Sequence, residues 1–190
     1  MSGMPATPRE KIGPPPERWS WAVEKTWERI FLVGSALLVF VADQASKALV
    51  LRYLPLGRSW NPIPFLRRWV SITHVVNSGA AFGLFPDHGT LFVVIAVVVV
   101  AAIVTYYRYL PTDRWLVRTS LGLQLGGALG NLLDRLHYGH VVDFIDFKVW
   151  PVFNLADSAI VVGVAILAFY LLREREALEE PAPQERIEGN

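Results

Sequence analysis

Between Gly126 and Asp157 the chain reads GGALGNLLDRLHYGHVVDFIDFKVWPVFNLAD. This span concentrates the side chains able to do chemistry: Asn131, Asp134, Arg135, Asp143, Asp146, Asn154 and Asp157. Two long apolar segments bracket it. Charged and carboxamide groups at the edge of a bilayer are costly to keep, so their clustering is itself a functional signal. Several aspartates together suggest water activation by a carboxylate pair. Two carboxylates roughly 3 Å apart cannot both ionise and must share one proton. The ionised member then draws a proton from water, while the protonated member polarises a scissile carbonyl. Asp143 and Asp157 make the best pair, because neither has an adjacent basic residue to tie it up.

Each acid also has a plainer reading. Asn154 is placed to cap a following helix, which puts Asp157 at the third helical position, where a carboxylate meets the positive end of the helix dipole. Asp157 could be no more than part of that cap. Asp143 could be a solvated loop acid, although its neighbours Val141, Val142, Phe144 and Ile145 argue for partial burial. Asp146, near Lys148, reads as one half of a surface pair. Asp134 beside Arg135 reads as an ion pair that shapes the site, and Asp43 with Lys47, four residues apart in a helix, reads the same way. Either member of this last pair could also touch a substrate.

Other chemistries fit poorly. With no cysteine there is no thiol nucleophile, thiolate metal site or disulfide. His137 and His140 stand without an HExxH motif, so no metal site is expected. Ser46 and Lys47 are neighbours, and neighbours on a helix point apart, which disfavours a serine–lysine dyad. No glycine-rich phosphate loop and no basic stripe is present, so neither a cofactor nor nucleic acid is expected.

The elements that must position these groups follow from hydropathy. The chain has 190 residues, is 53% hydrophobic and has a mean hydropathy of +0.34, which is too apolar for a small soluble domain. The expected class is an all-α membrane protein. Apolar segments at about 30–51, 90–107, 116–133 and 156–172 predict four transmembrane helices forming one domain over 30–172. Residues 1–29 form an N-terminal tail with a tryptophan-containing interfacial segment, and 173–190 form an acidic C-terminal tail. A cleaved signal peptide is not expected, since the apolar run starts late and lacks a small-residue cleavage site. All ten glutamates lie in the tails, whereas every acid between Arg29 and Arg173 is an aspartate.

Eleven lysines and arginines fall on the side of the tails and five on the other, so both termini are expected in the cytoplasm and the aspartates near the outer interface. The outer loop 52–89 contains the β-rich stretch RRWVSITHVVN, Arg67 to Asn77, followed by NSGAAFGLF. It predicts a small extracytoplasmic sheet between helices 1 and 2, ending in a close-packed turn. The segment Leu136–Phe153 is expected as a short loop carrying Asp143. Gly122, Gly126 and Gly130 recur every four residues and predict a close helix approach.

Five stretches in order resemble the lipoprotein signal peptidase (signal peptidase II) family. They are Asp43-Gln44-x-x-Lys47, Asn77-Ser78-Gly79-Ala80-Ala81-Phe82-Gly83, Gly126-Gly127-Ala128-x-Gly130-Asn131-x-x-Asp134-Arg135, Val141-Val142-Asp143-Phe144 and Phe153-Asn154-x-Ala156-Asp157. The resemblance implies a multi-pass aspartic endopeptidase of the bacterial cytoplasmic membrane with a periplasmic active site. It would cut prolipoproteins just before a cysteine that already carries diacylglycerol. On the same basis Asp143 and Asp157 are the catalytic pair, and Asn77, Asn131, Arg135 and Asn154 shape the site. Asp43, Lys47, Gly79 and Asp134 match further motif positions. Expected partners are these lipid-modified substrates and membrane lipids, with no obligate protein partner evident. Two rivals remain open on residues alone. A proton-coupled transporter or small channel would spread acids across the membrane depth, and a non-catalytic scaffold would use polar groups only to fasten helices.

Overall fold

The computed structural model describes residues 18–79, 89–109 and 115–179. Four helices and three strands follow in the order α1 (Arg18–Tyr53), β1 (Ser59–Trp60), β2 (Ser71–Asn77), α2 (Gly89–Tyr106), α3 (Trp115–Tyr138), β3 (Val141–Asp146) and α4 (Leu155–Glu179). The four expected apolar segments all fall in these helices, apart from Tyr107, which opens a short 3-10 turn. α1 starts well before its apolar run, so the tryptophan segment from Arg18 onward continues into the first helix. The close-packed turn expected after Gly79 lies outside the described residues.

Two helical stretches, Ile30–Tyr53 and Leu155–Arg175, are long and apolar enough to cross a membrane, and Thr90–Thr105 is a shorter apolar helix. Large apolar side chains point outward: Leu38 on α1 is 72% exposed, Val98 on α2 60% and Phe169 on α4 67%. An apolar exterior of this extent calls for a lipid environment.

α3 packs against each of the other three helices. Its glycines explain how closely. A methyl at Gly122 would collide with Ser35 and the Leu32 carbonyl, one at Gly126 with the Ala36 carbonyl, and one at Gly130 would sit 2.5 Å from Asp43 Oδ2. All three face α1, as the four-residue spacing predicts. Gly127, one residue round the helix, faces α4, where its Cβ would lie 2.5 Å from the Ala156 carbonyl. Gly163 of α4 comes equally close to the Ser120 carbonyl, at 2.6 Å. Away from the sheet, Leu32, Val117, Leu121 and Tyr170 form a small buried cluster.

The sheet departs from expectation. It is antiparallel in the order β1-β2-β3, and only β1 and β2 come from the loop between α1 and α2. Its third strand is supplied by the segment between α3 and α4, which was expected as a short loop. The reason is physical. VVDFID is buried on both faces except at Ile145, so it reads as an apolar run and lacks the alternation of a half-exposed strand. α3 stops at Tyr138, and Gly139 at φ +77° turns the chain while its N–H still bonds to the Arg135 carbonyl at 3.0 Å. A one-residue irregularity in β2 between Ile72 and Val75 shifts the register from Ile72 opposite Ile145 to Val75 opposite Asp143. Beyond β3 the chain doubles back, and Phe153 pairs with Ile145. Val50, Val142 and Phe144 are buried together beneath the sheet, with Leu54, Ile72 and Ile145 packed against them.

Candidate active site

All the sequence-derived site residues gather at the end of the bundle that carries the sheet. α4 begins there, and its first turn is built from them. Asn154 is the cap: its Oδ1 accepts the Asp157 backbone N–H at 2.9 Å, and Asp157 Oδ2 accepts the Asn154 N–H in return at 3.3 Å. This reciprocal arrangement satisfies two donors that a helix start leaves open. The capping reading of Asp157 is therefore correct as local structure, and it does not compete with a chemical role. The same carboxylate presents its other oxygen, Oδ1, to the Asn131 amide at 2.7 Å.

Asp143 reaches the same place from β3. Asn154 Nδ2 donates to its Oδ1 at 2.7 Å, and Asn77 Nδ2 donates to its Oδ2 at 2.8 Å. Asn77 stands opposite Val141 in the ladder, so its side chain shares a face with Asp143 diagonally across the strands. The Gly79 N–H donates to Asn77 Oδ1 at 3.1 Å, which orients that amide with its nitrogen toward the acid. Asp143 is buried to 1% exposure and Asp157 is half-buried. Thus each of the four carboxylate oxygens accepts one N–H, from an amide side chain or the backbone, and a single asparagine, Asn154, touches both acids. Burial, followed by the nearby Asp157 charge, raises the Asp143 carboxyl to about 7 from its usual 3.8, against the lowering effect of the Asn77 and Asn154 bonds and the Lys47 charge.

Behind the pair lies a buried ionic layer. Lys47 Nζ contacts Asp43 Oδ2 at 2.8 Å, Asp134 Oδ2 at 2.9 Å and Asn131 Oδ1 at 3.0 Å, and all four residues are buried. Asp43 Oδ1 also accepts the Ala156 N–H at 3.0 Å, so α1 caps the start of α4 from outside. Asn131 Oδ1 is held by Lys47 and by Asn154 Nδ2 at 3.1 Å, which leaves the Asn131 NH₂ group facing Asp157. The expected pair of Asp43 with Lys47 is present, enlarged by a second acid.

The expected ion pair between Asp134 and Arg135 is not found among the described residues. Asp134 is taken instead by Lys47, by Gln44 Nε2 at 3.0 Å and by the Val142 N–H at 3.1 Å. Consecutive helical residues point about 100° apart, so the two cannot meet easily. Arg135 lies over the Phe92 ring at 5.4 Å and reaches the Asn131 carbonyl at 3.4 Å. Asp146 does pair with Lys148, at 2.6 Å, and accepts Thr73 Oγ1 at 2.7 Å.

Sequence reasoning quoted Gln44 within a motif but gave it no role; it links Asp43, Asp134 and the Gly130 carbonyl. Its signal was a carboxamide within an apolar span. Among the described residues no three His, Cys, Asp or Glu side chains converge as a metal site requires.

The chain is similar to known proteins. The family model for signal peptidase (SPase) II matches residues 35–173. A lipoprotein signal peptidase of Moorella thermoacetica is 51% identical over 72% of this chain and 89% of its own length. One of Halothermothrix orenii is 45% identical over 74% and 94% respectively. Two solved bacterial membrane enzymes share the fold. The first has a TM-score of 0.71 at 30% identity, covering 79% of this chain and 92% of its own, and the second 0.66 at 32%, covering 73% and 90%. Every residue placed in the two-aspartate centre and its ionic support lies inside the matched region, and on that ground the chain belongs to the signal peptidase II family.

Proposed function

We propose that the protein is an aspartic endopeptidase in which Asp143 and Asp157 activate one water molecule against a peptide bond. The substrate is a prolipoprotein whose cysteine already carries diacylglycerol, and the cut falls on the N-terminal side of that cysteine. The observation that carries this reading is the shared asparagine: Asn154 bonds to both acids, one buried on a strand and one at a helix start.

The chemistry follows from the two environments. Near neutral pH the more deeply buried Asp143 holds the shared proton, because burial and the neighbouring carboxylate both disfavour its charge. Asp157 accepts a proton from the attacking water as the oxygen adds to the carbonyl carbon, and Asp143 donates to the carbonyl oxygen. Collapse of the tetrahedral intermediate returns a proton to the departing amine. The four amide and backbone donors fix both carboxyl groups in place, so little reorganisation is needed. Asn77, Asn131 and Asn154 orient the acids, Gly79 orients Asn77, and Asp43, Lys47 and Asp134 hold the ends of α1, α3 and α4 together. Arg135 lies at the edge of the pair.

In the same reading α1 to α4 cross the bacterial cytoplasmic membrane four times, both termini are cytoplasmic and the sheet faces the periplasm. Supporting this are the charge bias of the loops, the apolar helix exteriors and the position of the sheet at the end of the bundle where both acids lie. A diacylglyceryl anchor holds its cysteine at the level of the headgroups, which is where this end of the bundle would stand. The test is cleavage of a diacylglyceryl-modified precursor by purified protein. Asp143→Asn and Asp157→Asn should each abolish turnover while leaving thermal unfolding close to wild type, and retained cleavage in both would overturn the assignment.

A further inference from the structure

Beyond the active site, the outer end of α1 and strand β1 enclose a second cavity of about 760 Å³. That volume falls within the roughly 300–1,000 Å³ usual for small-molecule sites. Its inner wall is Val50, Leu54 and Ile72, and its outer wall is Leu49, Tyr53 and Trp60. None of the aspartates lines it. Leu49, Tyr53 and Trp60 are more than half exposed, so the cavity opens on the apolar exterior that a bilayer would cover. One cation, Arg58, also lines it. The Arg58 backbone is fixed by bonds to Pro55 and His74, while its guanidinium has no partner among the described residues. Arg52 stands nearby over Tyr53, and Asp146, which reaches β1 through Thr73 and Ser59, is paired with Lys148.

We infer that this cavity is a binding site for an anionic phospholipid, one acyl chain lying against the apolar walls and the phosphate meeting Arg58. The walls suit hydrocarbon, the opening lies at the headgroup end of a membrane-crossing helix, and the Arg58 guanidinium, with no acid paired to it among the described residues, is complementary to phosphate. The occupant would also matter to the enzyme. Val50, Leu54 and Ile72 belong to the cluster on which Val142 and Phe144 rest, and those two residues flank Asp143. A chain filling the cavity therefore supports strand β3 from the side opposite the catalytic centre.

The inference depends on the chain spanning a membrane but not on which aspartates are catalytic, and its test reads lipid retention rather than cleavage. Full-length protein is titrated with phosphatidylglycerol or with phosphatidylcholine of the same chains, and bound lipid is counted by native mass spectrometry. The expected result is a single phosphatidylglycerol retained in preference to phosphatidylcholine. Arg58→Gln should weaken phosphatidylglycerol about fivefold, the effect of one arginine near an anionic headgroup, and leave phosphatidylcholine unchanged. Leu49→Trp, which enlarges a side chain of the cavity wall on α1, should weaken both lipids. Equal retention of the two lipids, or no response to Arg58→Gln, would overturn the inference. So would displacement of the lipid by millimolar inorganic phosphate, since the site would then be one for a free anion. If Leu49→Trp does not fold, Arg58→Gln alone decides, because that side chain is exposed and bonds to nothing described.

Discussion

Asn154 offers the sharpest test, because its side chain both caps the helix and bonds to the two acids of the proposed pair, and the two roles are separable. In Asn154→Ala the cap on the Asp157 N–H is lost, which costs about 1 kcal/mol. The two donations from Nδ2, to Asp143 at 2.7 Å and to Asn131 at 3.1 Å, also vanish, each leaving a buried acceptor short by about 1 kcal/mol or more. The sum is about 3 kcal/mol, or roughly 6–12 °C in Tm for a chain of this length. Asn154→Asp is different. Aspartate caps a helix as well as asparagine does, so the first loss disappears. In place of the amide donor, however, it sets a carboxylate oxygen against Asp143, and the two must share a proton. Its Tm should stay near wild type at mildly acidic pH and fall at alkaline pH, while cleavage drops by about 100-fold or more in both variants, the usual effect of removing one preorganised donor from a reacting centre. The assays are thermal unfolding in micelles across pH and single-turnover cleavage of a lipid-modified precursor. If Asn154→Asp cleaves normally, or if the two variants melt alike at every pH, the shared-asparagine reasoning is wrong.

Other outcomes follow from the same geometry. Because the Asp143 carboxyl is raised to about 7, the folded state holds a proton that the unfolded chain releases above about 4. Stability should therefore fall as pH rises from about 4 through 7 and level off beyond, and Asp143→Asn should remove that slope in a pH series of melting curves. The alkaline limb of the cleavage rate should lie near 7, and Asn77→Ala, by removing a donor that lowers the Asp143 value, should move that limb to higher pH. Gly126→Ala should cost about 1–3 kcal/mol or more by pushing against the Ala36 carbonyl, whereas Gly34→Ala, with nothing within 4 Å, should melt at or slightly above wild type. Lys47→Met leaves Asp43 and Asp134 buried together without a cation and should cost about 3–5 kcal/mol, read as loss of folded protein in detergent.

Much of this was legible in the sequence where one element's periodicity sufficed. The Gly122, Gly126 and Gly130 face, the strand within Arg67–Asn77, the Asp43–Lys47 pair and the Asn154 cap all depend on spacings within one element, and all are present. What escaped were contacts set by tertiary approach. Asp134 looks paired with its neighbour in sequence, yet its cation comes from α1, a choice made by the glycines that bring α3 against that helix. β3 was hidden because a strand buried on both faces leaves no alternating trace, and its partner β2 lies about seventy residues away. That Asn77 meets Asp143 depends on the irregularity in β2, which no local pattern in SITHVVN announces.

At the opening turn of α4 the N–H groups of Asn154, Ala156 and Asp157 donate to the side chains of Asp157, Asp43 and Asn154 respectively, so the groups that start this helix are also groups of the candidate site. Consequently, directed evolution toward heat tolerance has no silent lever at that terminus. Any replacement that anchors the turn more firmly also alters the spacing or protonation of the acids, and gains in ruggedness must come from elsewhere, such as the outward face around Gly34.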